Sequence, residues 1–363
     1  MLVHRIAADS LRYRWKEGRS YQGHAYEYLE PIVPRIPDFV LESSIYLYRS
    51  EADALAGTRG GASAFLVYLH PSDDFLRFLG WGHFYVVTAR HVIGGGATWL
   101  RLNKRDGTVD VLEIPQHGWI RHPAGDDVTC APMIPLEDNA HAVRGLPEDI
   151  FLTPEEVEVG IIGPGDEAFF VGRLRDADGG LRNQPSVRFG NLSMRPVPLY
   201  NSLAGIQQES FIVEARSIGG YSGSPVYVFS SGTVTKEGVI EPSEGGSRLF
   251  LLGIDWCHLN DWQPVFEDDR KTLVTPCQWV RDNSGMAGVV PAWKLRELLE
   301  EDVLADKRRK DEEESTARIQ SLGPDAATPD MERPTDDLTR ERFYDDLTKA
   351  TGRRDDESDQ GQS

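Results

Sequence analysis

Gly219-Gly220-Tyr221-Ser222-Gly223-Ser224-Pro225-Val226-Tyr227-Val228-Phe229 is the stretch on which the fold turns. A single serine sits in a glycine-rich turn, and an apolar run comes directly after it. Glycine lets the backbone fold tightly and leaves N–H groups free to face a ligand. A nucleophilic serine needs such a setting: an exposed hydroxyl beside a cradle for the oxyanion it creates. An ordinary Gly/Ser turn between strands has the same composition, so the turn alone leaves both readings open. The segment after the turn is more decisive. The run Val226–Phe229 is β-branched and aromatic, so the turn leads into a strand. The strand-to-helix elbow Gly-x-Ser-x-Gly is excluded, because Ser224 takes the place of its last glycine and no helical pattern comes after it.

Working outward, the turn lies inside a series of short apolar runs separated by turn residues. Towards the N-terminus these are 44–50, 62–70, 83–89, 98–103, 109–115 and 127–135, with Arg105-Asp106-Gly107 as a hairpin signal. Around the serine they are 156–160, 167–174, 186–194, 210–218, 225–230 and 248–256. Two sets of six strands without helices between them predict an all-β chain built as two antiparallel barrels. The expected layout is an N-terminal extension over 1–37, a first barrel over 38–138, a connector over 139–154 and a second barrel over 155–290. Pro291 and the spacing of Leu295, Leu298, Leu299 and Val303 predict one amphipathic helix over 291–310. From 311 to 363 the chain is polar and charged, and it reads as a disordered acidic tail. Its echo, Asp336-Asp337-Leu338-Thr339-Arg340 and Asp345-Asp346-Leu347-Thr348-Lys349, reads either as a protein-docking motif or as part of a solvated tail.

Composition narrows the function classes. The chain has 363 residues, is 40% hydrophobic and carries a formal net charge of -19. No basic patch with interleaved aromatics is present, which argues against nucleic acid as a direct partner. The three cysteines, Cys130, Cys257 and Cys277, are too few and too odd for a disulfide framework. The first nine residues lack the apolar core of a signal peptide, and no apolar run reaches membrane-spanning length. The expectation is a soluble, cytoplasmic protein with no membrane partner, although export by another route stays open. No metal-ligand cluster or phosphate loop stands out, so no cofactor is expected.

A serine hydroxyl is a weak nucleophile until a base takes its proton, and the base must be held in one tautomer. His91, after the apolar run 84–89, is the best base; His83, His117, His122 and His258 lack such a setting. Asp127, ahead of a buried strand, is the best acid, with Asp126 as the alternative.

These three segments carry a family resemblance. Val87-Thr88-Ala89-Arg90-His91, Asp127-Val128-Thr129 and Gly220-Tyr221-Ser222-Gly223-Ser224-Pro225 resemble, in this order, the motifs of trypsin-like (chymotrypsin-fold) serine proteases. Gly165–Gly172, Leu251–Ile254 and Gly288–Ala292 resemble segments of the bacterial Deg-type protease domain. The resemblance covers roughly residues 38–305 and implies two Greek-key barrels with the active site in the cleft between them. It implies a serine endopeptidase acting on a protein or peptide through His91, Asp127 and Ser222. Gly220 and Ser222 would supply the oxyanion N–H groups, and Arg216, Gly253 and Asp255 would approach the substrate pocket. A catalytically inactive trypsin-fold protein that binds a partner through the cleft or tail is the alternative. Several positions depart from the family pattern. Arg90 stands where a small residue precedes the histidine, and Ser224 replaces a glycine. Tyr221 replaces the acid that receives a newly cut N-terminus in animal trypsins, and Val92 replaces a disulfide cysteine. The protease-like region leads into no PDZ-like domain.

Overall fold

A computed structural model of the chain describes residues 36–58, 61–133, 140–174, 180, 182–215, 220–230, 233–234, 240–241, 248–266, 273 and 278–321. The first unit contains β1 (Ser44–Tyr48), β2 (Ala62–Leu69), β3 (His83–Thr88), β4 (Trp99–Asn103), β5 (Val109–Glu113), β6 (Ile120–Arg121), β7 (Thr129–Met133) and β8 (Leu146–Pro147). Short helices interrupt it: α1 (Asp38–Glu42), α2 (Glu51–Ala56), α3 (Asp74–Phe78) and α4 (Arg90–Gly94). The strands form an eight-stranded sheet in the order β5-β4-β1-β2-β3-β7-β6, with β8 added parallel to β2. The hairpin read at Arg105-Asp106-Gly107 joins β4 to β5, and Gly107 takes a φ of 91° that favours glycine.

After α5 (Pro154–Glu158), the second unit contains β9 (Glu167–Gly172), β10 (Ser186–Asn201), β11 (Ile206–Glu214), β12 (Pro225–Ser230), a small pair β13 (Thr233–Val234) and β14 (Ile240–Glu241), β15 (Arg248–Pro264) and β16 (Trp279–Pro291). Six of these close as a barrel in the order β10-β11-β16-β15-β12-β9. The chain ends, as far as it is described, in α6 (Ala292–Leu299) and α7 (Asp302–Ser321).

The all-β, two-unit architecture is thus the one expected, with several local differences. The described strands of the first unit form an eight-stranded sheet whose edge strands β5 and β6 do not pair, where a six-stranded barrel was expected; the added strands β6 and β8 are two-residue pairings too short to leave a pattern. The strand expected over 156–160 is instead part of helix α5 and its end. There Thr153 and Glu156 form a reciprocal capping box and Pro154 opens the first turn, and these local bonds override the apolar spacing. The sixth barrel strand is β16 instead. The single closing helix is two helices, and residues 311–321, expected in the disordered tail, form the end of α7. Residues 322–363, with the Asp-Asp-Leu-Thr echo, and residues 1–35 lie outside the described residues.

Strand alternation builds three large cores beside a small cluster of Tyr46, Tyr48 and Ala54. In β2, Ala62, Ala64 and Leu66 face the interior of the first unit, while Phe65, Val67 and Leu69 face outward into a shared cluster. In β12, Val226 and Val228 face the second barrel's interior and Tyr227 joins the shared cluster. Phe169 and Val171 of β9 also enter it, with Phe169 stacked 5.0 Å from Tyr227. Leu295, Leu298, Leu299 and Leu304 from α6 and α7 close it. With both faces of these strands buried, their sequences read as unbroken apolar runs rather than alternating ones. The shared core fixes the two units against each other, and the rim of that seam carries the candidate site.

Candidate active site

The seam brings together two of the predicted residues with complete geometry. β3 stops at Thr88, and Ala89 is the N-cap of α4, so His91 lies in a helical turn rather than at the strand end expected from its sequence. Val92 and Ile93 anchor that turn in the first core. The His91 side chain is 25% exposed. Asp127 is 4% exposed and sits in the loop before β7. Its Oδ2 lies 2.7 Å from His91 Nδ1, and its Oδ1 accepts the His91 backbone N–H at 2.8 Å. The carboxylate can only accept, so Nδ1 carries the proton and Nε2 is left as the free base.

Asp126, the alternative acid, is engaged elsewhere. Its Oδ2 lies 3.1 Å from His122 Nδ1, and the His122 Nε2 lies 3.2 Å from Glu297 of α6. Burial disfavours the charged His91 imidazolium. The hydrogen bond and charge of Asp127, with a further contribution from Asp255, outweigh that penalty and hold the pKa above the ordinary value.

The serine turn is pinned carbonyl by carbonyl. Ser63 of β2 donates its Oγ–H to Gly220 O at 2.8 Å and its backbone N–H to Ser222 O at 3.1 Å. Ser224 N–H donates to Tyr221 O at 2.7 Å. Three successive peptide planes are therefore fixed, and with them the direction of the Ser222 N–H. Among the described residues neither the Gly220 nor the Ser222 N–H has a backbone acceptor. Gly220 adopts a φ of 110° and Gly223 a φ of 84°. A Cβ on Gly223 would lie 2.1 Å from Thr88 Oγ1 and 3.1 Å from Ala89 N. Only glycine fits, and the serine turn thus lies directly against the β3–α4 junction that carries His91.

Ser222 itself is half-buried between buried neighbours. Among the described residues its hydroxyl makes no hydrogen bond, so the contact between serine and histidine is not closed in this structure. Tyr221 is fully buried with its hydroxyl on Ser186 Oγ, and it anchors the turn in the second barrel. Ser224, the departure from glycine, is fully buried, and its Oγ fills the space over Gly172.

The pocket residues divide. Arg216 lies outside the described residues. Gly253 is a packing residue, since a Cβ there would lie 1.8 Å from Val290 O. Asp255 is fully buried behind the serine turn; through its backbone it accepts the Gly223 N–H at 2.8 Å and donates to Ser224 O at 3.0 Å. The two described cysteines are no rivals as nucleophiles. Burial pushes the Cys257 thiol up to about 12 and the Cys130 thiol higher still. No group of side chains able to hold a metal ion occurs among the described residues.

Sequence reasoning missed two residues of this site. Ser63 stands on the shared-core face of an otherwise apolar strand. Gln208 accepts the Asp127 backbone N–H at 2.7 Å from across the seam. A lone polar residue inside an apolar run is the only local signal for Ser63, and Gln208 leaves none.

No protein-family model matches the sequence, and a search of curated proteins finds no relative. The structure neighbours are Deg- and HtrA-type trypsin-like serine protease domains. The MamO protease domain from Magnetospirillum magneticum has a TM-score of 0.40 and 13% identity over 72% of this chain and 98% of that one. Deg5 has a TM-score of 0.36 and 16% identity, covering 60% of this chain and 81% of its own. The HtrA-type protease AlgW, solved with a decapeptide, has a TM-score of 0.34 and 15% identity over 66% of this chain and 52% of that chain. At these scores the likeness adds nothing to the fold, which stands on its own sheets and registers.

Proposed function

We propose that the protein is a serine endopeptidase. The observation that carries this reading is the two-bond clasp of Asp127 on His91, beside a serine turn held against the same helical turn. Ser222 Oγ attacks a peptide carbonyl and passes its proton to His91 Nε2. The C–O bond forms as the carbonyl oxygen takes up negative charge between the Gly220 and Ser222 N–H groups. The tetrahedral adduct then expels the amine, which takes the proton back from His91 as the C–N bond breaks. Water repeats the sequence on the acyl-enzyme and frees the second product. Asp127 holds the tautomer throughout and stabilises the imidazolium. The open serine–histidine contact suits an unliganded enzyme, in which such bonds close on substrate binding.

Fluorophosphonate labelling tests the reading. The folded protein should label at Ser222, and Ser222→Ala should abolish the label. A folded protein that labels no more than Ser222→Ala is a non-catalytic binder. Digestion of a peptide library then separates a peptidase from an esterase and reports the P1 residue.

A further inference from the structure

The Asp127 backbone N–H is accepted by a side chain of the opposite barrel. We propose that Gln208 is a positioning residue for Asp127, through which the second barrel sets the orientation of the His91–Asp127 pair. The proposal rests on the peptidase reading. Gln208 lies in β11 and is fully buried. Its Oε1 accepts from Asp127 N–H at 2.7 Å and from Asn201 Nδ2 at 3.2 Å. Both of these groups are donors, which fixes the oxygen as the end that faces them.

Asn201 is itself held in place. It is 2% exposed, and its Oδ1 accepts from Leu203 N–H at 3.0 Å and Ala204 N–H at 3.2 Å across the β10–β11 turn. Ile206, the first residue after that turn, comes within 3.5 Å of the Cβ position on Gly125. The hairpin tip therefore covers the loop that carries the acid, and Gln208 is its polar contact with that loop.

The Gln208 Nε2 is buried with no hydrogen-bond partner among the described residues. A side chain kept only to fill space has no use for that group, since methionine matches the shape without it. What glutamine adds is the acceptor for Asp127. Anchoring the Asp127 N–H fixes the Cα–Cβ direction from which the carboxylate reaches both His91 groups. Without the anchor the loop 125–127 is free to turn, and the two-bond clasp loosens.

Gln208→Met and Gln208→Glu test this, read by kcat and KM on a cleaved library peptide, by pH profile, and by the proton resonance of His91 Nδ1–H. In Gln208→Met, kcat should fall about tenfold with KM held within about twofold, the size expected for one lost hydrogen bond. The Nδ1–H resonance should broaden or move. Gln208→Glu keeps an acceptor, so it should recover most of the lost rate, while its added charge moves the acid limb of the profile to higher pH. Unchanged kcat and an unchanged Nδ1–H resonance in Gln208→Met would overturn the proposal. So would equal losses in both variants that track lower melting temperatures. If the wild-type protein neither labels nor cleaves, the peptidase reading fails, and the Nδ1–H resonance of wild type against Gln208→Met still decides the positioning role.

Discussion

Asp127 directs both carboxylate oxygens at one residue, and this sets the pH behaviour of the site. His91 works as a base only when neutral, and its pKa is held above the ordinary 6.5 against the opposing effect of burial. The rate of Ser222 labelling should therefore fall on acidification with a midpoint above 6.5. In Asp127→Asn the raising contributions of that residue disappear while burial remains, so the midpoint should move down. The rate at its plateau should drop about 10⁴-fold, because the amide no longer selects the correct tautomer. A midpoint that stays put in Asp127→Asn would assign the titration to another group. The stability linkage has the opposite sense to the activity. A raised histidine pKa stabilises the fold below 6.5, and that share is lost as pH rises through the folded value. Of the residues in this site, His91, Asp127 and Ser222 are legible in the sequence because each sits in a short local pattern whose residue types carry chemistry. Gln208 is not, because its role exists only once a residue 81 positions away is brought beside it.

Among the elements, the strands are legible wherever both faces are buried, since such strands are continuous apolar runs. Legibility fails where local bonds or partner strands decide the outcome. The capping box makes a helix of α5, and β16 becomes a strand by pairing with β11 and β15. Helix α7 is the largest departure. It is mostly polar, and its attachment to the first unit is largely polar as well. Glu312 accepts from Ser72 N–H at 3.1 Å, Asp73 N–H at 3.3 Å and His83 Nε2 at 2.9 Å, and it also takes the Ser72 hydroxyl. Arg308 Nη1 reaches the Tyr85 hydroxyl at 3.1 Å, and Leu304 is buried in the shared core. Burial pushes the His83 pKa below the ordinary 6.5 despite the nearby carboxylate. Burial also works against the Glu312 charge, but the bonds from Ser72 and His83 prevail and lower its pKa below 4.5. Both shifts have one sign. The clasp is at full strength above 6.5 and weakens as pH falls, first as unfolded His83 gains a proton that the folded form resists, then as Glu312 is protonated. Hydrogen exchange of the 302–321 amides, taken relative to the intrinsic rate at each pH, should therefore speed up as the pH falls from about 7 to about 5. Glu312→Ala should speed it already at neutral pH, with a loss of about 2 kcal/mol for the charged hydrogen bonds. Exchange that is equally slow in wild type and Glu312→Ala would mean that Leu304 and its neighbours hold the helix unaided.

At the scale of the molecule, the site exists because two separately cored units, a sheet and a closed barrel, meet on a third, shared core. That core is apolar and says only that the faces touch; polar contacts must set where along the seam the serine turn lies. Ser63 is the main one. It stands on the shared face of β2, with its Oγ donating to Gly220 O at 2.8 Å and accepting from Arg173 N–H at 2.9 Å. Its own carbonyl takes the Thr88 hydroxyl at 2.8 Å, so one residue joins the serine turn, the end of β9 and the strand that leads to His91. In Ser63→Ala the Gly220 carbonyl and the Arg173 N–H are buried without this partner, at a cost of about 1–3 kcal/mol. The shared core should still dock the two units, so the protein should fold, with a lower denaturant midpoint and an unchanged slope. The rate of Ser222 labelling should fall about tenfold, because the peptide plane ahead of the nucleophile is no longer fixed. Glu312→Ala is the control: it removes comparable stability far from the turn and should leave labelling untouched. If Ser63→Ala labels as fast as Glu312→Ala at a matched loss of stability, the turn is held by the second barrel alone, and the seam serves the fold without tuning the site.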